Sequence, residues 1–130
     1  MPSLTEADVQ RTVIDALRVH GWRFVHFRPA QNRSGRWLTP FEGDDGFPDL
    51  LAVKSGRQLA LECKSTRGVK KPKPTARGSE LLRLIRYEQQ EAWLDEFRPM
   101  SELAQFVGPN DLDDVLKVIA GKVTLTEEGG

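Results

Sequence analysis

The sequence predicts an α/β domain in which helical and extended segments alternate along one chain of 130 residues. Three observations carry that expectation. Apolar residues recur at helical spacing over residues 4 to 20 and 79 to 97. Apolar runs too short for a globular helix, each bounded by turn residues, occupy 50 to 53, 59 to 61 and 103 to 107. A further alternating, aromatic-rich run at 22 to 28 brings the expected strands to about four.

The length suits one domain with a single core, and 29% charged against 38% apolar residues suits a folded chain, not a disordered one. One cysteine, Cys63, excludes an intrachain disulfide and a cysteine-based zinc site. The start, MPSLTEADVQ, lacks a basic region and a long apolar run, and no segment approaches the length of a membrane span. A cytoplasmic protein without a signal peptide is therefore expected. The formal net charge is zero, yet Lys64, Arg67, Lys70, Lys71, Lys73 and Arg77 place positive charge in one stretch free of acids. Such a stripe is what phosphate binding needs, and overall neutrality does not exclude it.

In chain order, Val9, Val13, Ala16 and Leu17 form the apolar stripe of a first helix. Ser3 is its expected N-cap, with Glu6 as capping-box partner. Glu6 also lies one turn before Val9, on the side of the apolar face. Gly21 stops the helix, and Trp22 to Arg28 reads as a strand. Residues 29 to 46, with Pro29, Gly35, Pro40 and Gly43, read as a long loop, of a length that is usually functional or mobile. Its Arg33, Arg36, Trp37 and Phe41 mix charge with aromatic surface that can grip a nucleic-acid backbone and stack on bases. Anchoring of Trp37 and Phe41 on the core is the alternative.

A hairpin follows, with Leu50 to Val53 and Leu59 to Leu61 joined at Lys54-Ser55-Gly56-Arg57. Strand alternation puts Leu59, Leu61 and Cys63 on one face and Ala60, Glu62 and Lys64 on the other. Residues 65 to 78 form a basic loop in which Pro72 and Pro74 disfavour a helix. It is either a solvated linker or a flap facing nucleic acid. The helix of 79 to 97, capped by Ser79, ends at Arg98-Pro99, and Leu103 to Val107 is a strand. Asn110 or Asp111 caps a last helix reaching about Ala120, and the macrodipole accounts for Asp111, Asp113 and Asp114. The domain is expected to span residues 1 to 121, with 122 to 130 a loose tail.

Asp49 opens the apolar hairpin, and Glu62 and Lys64 close it. Packing gives no reason for two acids and a lysine there. Two carboxylates at a strand end make a hard oxygen site of the kind that takes Mg²⁺ or Mn²⁺. A neighbouring lysine can position a water or hold charge developing on a phosphate. The bland alternative is a surface Glu-Lys pair on an edge strand, with Asp49 serving only a turn.

Pro48-Asp49, twelve intervening residues and Glu62-Cys63-Lys64 resemble the PD-(D/E)xK nuclease motif. Gly46-Phe47-Pro48-Asp49-Leu50, Glu62-Cys63-Lys64 and the later Gln90 are similar to the VRR-NUC branch, as are Arg36-Trp37-Leu38-Thr39-Pro40 and Gly43-Asp44-Asp45-Gly46. The likeness covers roughly residues 5 to 119. It implies a restriction-endonuclease-like core, with a central mixed sheet flanked by helices. Asp49, Glu62 and the Cys63 backbone carbonyl would be metal ligands for Mg²⁺ or Mn²⁺, and Lys64 the catalytic lysine. Glu6 would be a first-helix acid at the metal, unless it only caps the helix. Gln90, or its neighbour Gln89, would support the site. Arg33, Arg36, Arg67, Lys70, Lys71 and Lys73 are the expected DNA contacts.

The implied activity is hydrolysis of DNA phosphodiesters in repair or recombination. The enzyme would be structure-specific, like a resolvase of four-way (Holliday) junctions or a nicking enzyme. Its substrate would be branched DNA, and a homodimer would suit two symmetric cuts. A DNA-binding module with an inactive site and a phage protein acting on another protein are the alternatives. Two departures from the pattern stand out. The basic loop is an insertion after Glu62-Cys63-Lys64, and Gly108-Pro109 stands where an Arg-Pro or similar basic pair is expected.

Overall fold

The computed structural model describes residues 4–27, 30–31, 37–38 and 42–121. Arg33, Arg36, Phe41 and the tail at 122–130 lie outside the described residues. The elements are α1 (Glu6–Val19), β1 (Arg23–His26), β2 (Ala30–Gln31), β3 (Trp37–Leu38), β4 (Leu50–Lys54), β5 (Arg57–Cys63), α2 (Ser79–Phe97), β6 (Leu103–Val107) and α3 (Leu112–Ala120).

Four strands make one mixed sheet in the order β1-β4-β5-β6. β4 pairs antiparallel with β1 and β5, and β6 joins β5 in parallel after the α2 crossover. The β4–β5 turn has Ser55 at φ 48° and Gly56 at φ 81°. Two successive left-handed residues make the turn whose twist matches an antiparallel hairpin. Strands β2 and β3 pair as a two-residue ladder inside the segment expected to be a plain loop.

The sheet is covered on both faces. Val9, Val13 and Leu17 of α1 and Val115, Val118 and Ile119 of α3 pack with Leu50, Leu59, Leu61 and Cys63 on one side. Leu94 of α2 packs with Ala60 and Ala104 on the other, with Leu51, Phe97 and Phe106 around them. The two faces of β5 are those that alternation assigns. At the end of the sheet away from Asp49, the Trp22 indole N–H donates to the Ile119 carbonyl at 3.0 Å. Arg57 grips Glu102 there through two nitrogens, at 2.6 and 2.9 Å.

Two helix starts differ from expectation. α1 is capped by Thr5 and Asp8, which exchange hydrogen bonds of 3.1 and 2.9 Å. The helix starts at Glu6, so the capping box falls on Thr5/Asp8 and not on Ser3/Glu6, and Glu6 has no part in it. Ser79 is the first residue of α2, not its cap. Gly78 takes the cap position at φ 61°, with no side-chain cap. α3 has Asp111, one of the two expected residues, at its cap position, without a side-chain bond into the helix; a 3₁₀ turn over Pro109–Asp111 leads in, and Asp111 accepts from the Gly108 N–H at 2.8 Å.

Gly46 sets the distance between the start of β4 and α2. Its φ is 98°, and a Cβ there would lie 2.6 Å from the Gln89 carbonyl carbon and 2.8 Å from the Gln90 nitrogen. Only glycine lets the chain leading to Asp49 lie against the α2 backbone at Gln90. At Gly56, also left-handed, a Cβ would meet nothing within 4 Å. Gly46→Ala should therefore destabilise the fold by about 1–3 kcal/mol more than Gly56→Ala, the usual cost of forced overpacking. Denaturant unfolding checks this, and equal losses would contradict it.

Candidate active site

The candidate residues come from four elements, α1, the entry to β4, β5 and α2, that meet at one end of the sheet. Asp49 immediately precedes β4, Glu62 lies near the end of β5, and Lys64 follows β5 directly. The β4–β5 register pairs Leu50 with Leu61, so Asp49 and Glu62 are the next pair outward. The Asp49 N–H donates to Glu62 Oε1 at 3.2 Å. The Cys63 N–H donates to Asp49 Oδ2 at 3.2 Å. Each carboxylate is thus held by backbone belonging to the other's strand.

Glu62 is only 4% exposed. It sits on an inner strand opposite Phe106 of β6, which excludes the reading of a surface pair on a sheet edge. Gln90 occupies an inward position of α2, in line with buried Leu84, Tyr87 and Leu94. Its Nε2 donates to Glu62 Oε2 at 3.2 Å. The buried Gln90 Oε1 has no hydrogen-bond partner among the described residues. Gln89 is exposed on the outer side of the helix, so Gln90 is the glutamine brought to the acids.

Lys64 continues the β5–β6 ladder, its N–H donating to the Val107 carbonyl at 2.9 Å. Its ammonium lies 5.8 Å from the Phe106 ring centre, and that ring stacks on Tyr87 with centroids 4.3 Å apart. The ammonium is near enough to act on both Glu62 and Glu6. Glu6, in the first turn of α1, also feels Asp49 and Arg86. The helix register therefore directs Glu6 toward the site without closing a third carboxylate onto the pair. Among the described residues, no three of His, Cys, Asp and Glu are gathered closely enough to hold a metal ion by themselves.

Sequence reasoning missed Gln10. Its Nε2 donates to Asp49 Oδ2 at 3.3 Å. The signal was present, because Gln10 lies four residues after Glu6 and shares its helix face. It also missed Arg86, whose charge reaches Glu6 from α2.

The basic loop divides its cations. Lys71 pairs with Glu91 at 2.9 Å and approaches Glu88 at 3.9 Å. Arg67 reaches Glu80 at 3.3 Å while its side chain stays 83% exposed. Lys70 and Lys73 are exposed and make no ion pair among the described residues. The loop is not a free linker. Tyr87 donates to the Val69 carbonyl at 3.1 Å, Arg83 to the Lys70 carbonyl at 3.0 Å, and Pro72 is buried. Val69 packs against Gly108, where a Cβ would meet it at 3.1 Å.

Burial comes first among the causes that push Glu62 up to about 9, followed by the adjacent Asp49 carboxylate. Glu6 is raised by burial and then by Asp49. Burial, then Asp49 and Glu62, push the Cys63 thiol upward, so it is not a thiolate nucleophile. No protein-family model, no curated protein and no solved structure matches the chain. No described helix is long and apolar enough to cross a membrane.

Between the ordinary value of 4.5 and about 9, the folded chain keeps a proton on Glu62 that the unfolded chain releases. Unfolding then releases protons, so stability falls as pH rises through that window. Glu62→Gln, a mimic of the neutral acid, should flatten this fall. Melting temperatures in chelator-containing buffer across the window check it, and equal pH slopes for the two proteins would contradict it.

Proposed function

We propose that this chain is a divalent-metal-dependent DNA endonuclease of the PD-(D/E)xK type, with a restriction-endonuclease-like core of the VRR-NUC branch. The observation that carries the reading is the convergence of Asp49 and Glu62 at the end of the central strand, with Lys64 two residues on and Gln90 bonded to Glu62. The donor set suits a hard cation. Two carboxylates lie together beside a buried amide oxygen that has no partner among the described residues, and Mg²⁺ needs no more than one or two carboxylates, the rest being water and phosphate.

Asp49 and Glu62 would hold Mg²⁺ or Mn²⁺, with the Cys63 carbonyl and Glu6 as further oxygens at the rim. The ion would supply Lewis acidity toward a phosphate oxygen and a more acidic bound water. Lys64 carries the remaining role of the chain. Its ammonium, set beside the acids by Phe106, holds negative charge on the phosphate as the P–O bond breaks. Gln10 and Gln90 are positioning residues, each fixing one carboxylate through an amide N–H. The substrate is proposed to be branched DNA, cut by a homodimer whose two sites match two symmetric strands.

Incubating plasmid, linear duplex, flap and four-way-junction DNA with Mg²⁺ or Mn²⁺ tests this. Wild type should cut at least one, and Asp49→Ala and Lys64→Ala should each lose about 10²-fold or more, the scale of removing one group that stabilises transition-state charge. Wild type that cuts none of them would overturn the nuclease reading. Gln10→Leu and Gln90→Leu should cost about 10–100-fold, as is usual for groups that orient metal ligands. Both should be partly rescued by raised Mn²⁺, and activity equal to wild type would remove them from the site.

A second reading rests on Glu62 itself. A carboxyl pushed up to about 9 holds its proton at neutral pH unless a cation displaces it. If none does, the chain is a DNA-binding module that does not cut, and wild type would bind DNA in the same panel without cleaving it.

A further inference from the structure

A groove of about 500 Å³ opens beside the acid pair, between the start of α1 and the turn after β5. Thr5, Glu6, Ser65, Thr66, Arg67 and Lys70 line it, with Leu4 at its edge. One wall belongs to the site already described, because Glu6 feels Asp49 and Lys64. The opposite wall carries two cations and two hydroxyl side chains. Lys70 has no acidic partner among the described residues. Arg67 meets Glu80 through one nitrogen at 3.3 Å and is otherwise in solvent, so its guanidinium can turn toward a ligand.

The backbone of this wall is fixed, not hinged. The Gly68 N–H donates to Ser65 Oγ at 3.0 Å, the Val69 N–H to the Ser65 carbonyl at 3.0 Å, and Arg83 and Tyr87 hold the Lys70 and Val69 carbonyls. Lys71, by contrast, is engaged with Glu88 and Glu91 of α2.

We propose that this groove holds the sugar-phosphate backbone next to the scissile phosphodiester, with Lys70 and Arg67 on the flanking phosphate and Thr66 as a neutral hydrogen-bond donor to it. The proposal rests on the nuclease reading for its scissile bond, and it separates cations that the sequence leaves equivalent. Lys70 and Arg67 bind substrate, and Lys71 fastens the loop to α2. A polyanion suits the groove because its charged lining residues are cations except Glu6, which faces the acid pair. The apolar edge at Leu4, 40% exposed, is suited to a deoxyribose.

The test measures binding of fluorescein-labelled duplex and four-way-junction DNA by anisotropy, with Ca²⁺ in place of Mg²⁺ and over a KCl series. Wild type, the double variant Lys70→Ala/Arg67→Ala and Lys71→Ala are compared, alongside Mg²⁺ cleavage by wild type. The double variant should bind about tenfold more weakly at moderate salt, with a salt slope shallower by about one unit for each lost phosphate contact. Lys71→Ala should stay within about twofold of wild type at an unchanged slope. Unchanged melting temperatures confirm folding; should Lys71→Ala melt lower, Lys71→Met, which keeps the packing of the stem, takes its place. Cleavage by wild type with no loss in the double variant would overturn the groove and leave the nuclease reading standing. Weakened binding in the double variant without wild-type cleavage would support the groove and overturn the nuclease. Absence of any DNA binding by wild type would overturn both.

Discussion

The structure turns on a buried acid. Glu62 lies on the central strand of a sheet covered on both faces, and 4% exposure leaves its carboxyl almost without water. A charge in such a place needs a proton, a cation or a dense set of hydrogen bonds. The surroundings provide a partial set: the Asp49 N–H, the Gln90 amide, and the Lys64 ammonium at a distance. They also add a second acid, which makes ionisation harder still. A site built only for stability would not put Asp49 beside Glu62. A site that exchanges a proton for a cation would, and the Gln90 oxygen, without a partner among the described residues, fits the same reading.

How far the sequence could be read follows from the range of each signal. The hairpin was legible because strand alternation is strict and local: Leu59, Leu61 and Cys63 fall on one core and Ala60 on the other, as the period of two requires. The Ser55-Gly56 turn and the Leu103–Val107 strand were legible for similar reasons. Helix starts were not. Thr5 and Ser3 are both good caps, and only the register of the helix against the sheet decides between them. Gly78, at φ 61°, holds the cap position that the sequence suggests for Ser79, which starts the helix instead. Gln10 escaped notice because its partner, Asp49, is 39 residues away, although its helix face, shared with Glu6, was readable. The pairing of β2 with β3 is too short to leave a periodic trace.

Two oddities of the sequence prove to be one feature. The loop inserted after Lys64 and the glycine at 108 are far apart in the chain, yet Val69 of the loop packs onto Gly108. A side chain at 108 would crowd Val69, a Cβ there lying 3.1 Å from it. With glycine there, the loop lies down, Tyr87 and Arg83 fix its backbone, and Lys71 finds the acids of α2. A charge run that reads as a solvated linker is therefore an ordered rim. Its cations differ in role because α2 neutralises some of them and leaves Lys70 facing the groove.

The proposed nuclease reading rests on placement more than on any single residue. β5 delivers Glu62 and Lys64, the entry to β4 delivers Asp49, and α1 and α2 each contribute one amide from opposite faces of the sheet. Gly46 keeps the β4 entry close to Gln90. The claim that gives these contacts a purpose is that Asp49 and Glu62 together hold a divalent cation. Electron paramagnetic resonance of Mn²⁺ titrated into the protein tests it most directly. The account predicts that wild type binds Mn²⁺ and that Asp49→Asn and Glu62→Gln lose that binding while remaining folded. Binding of equal strength in all three proteins, or none in wild type, would contradict it.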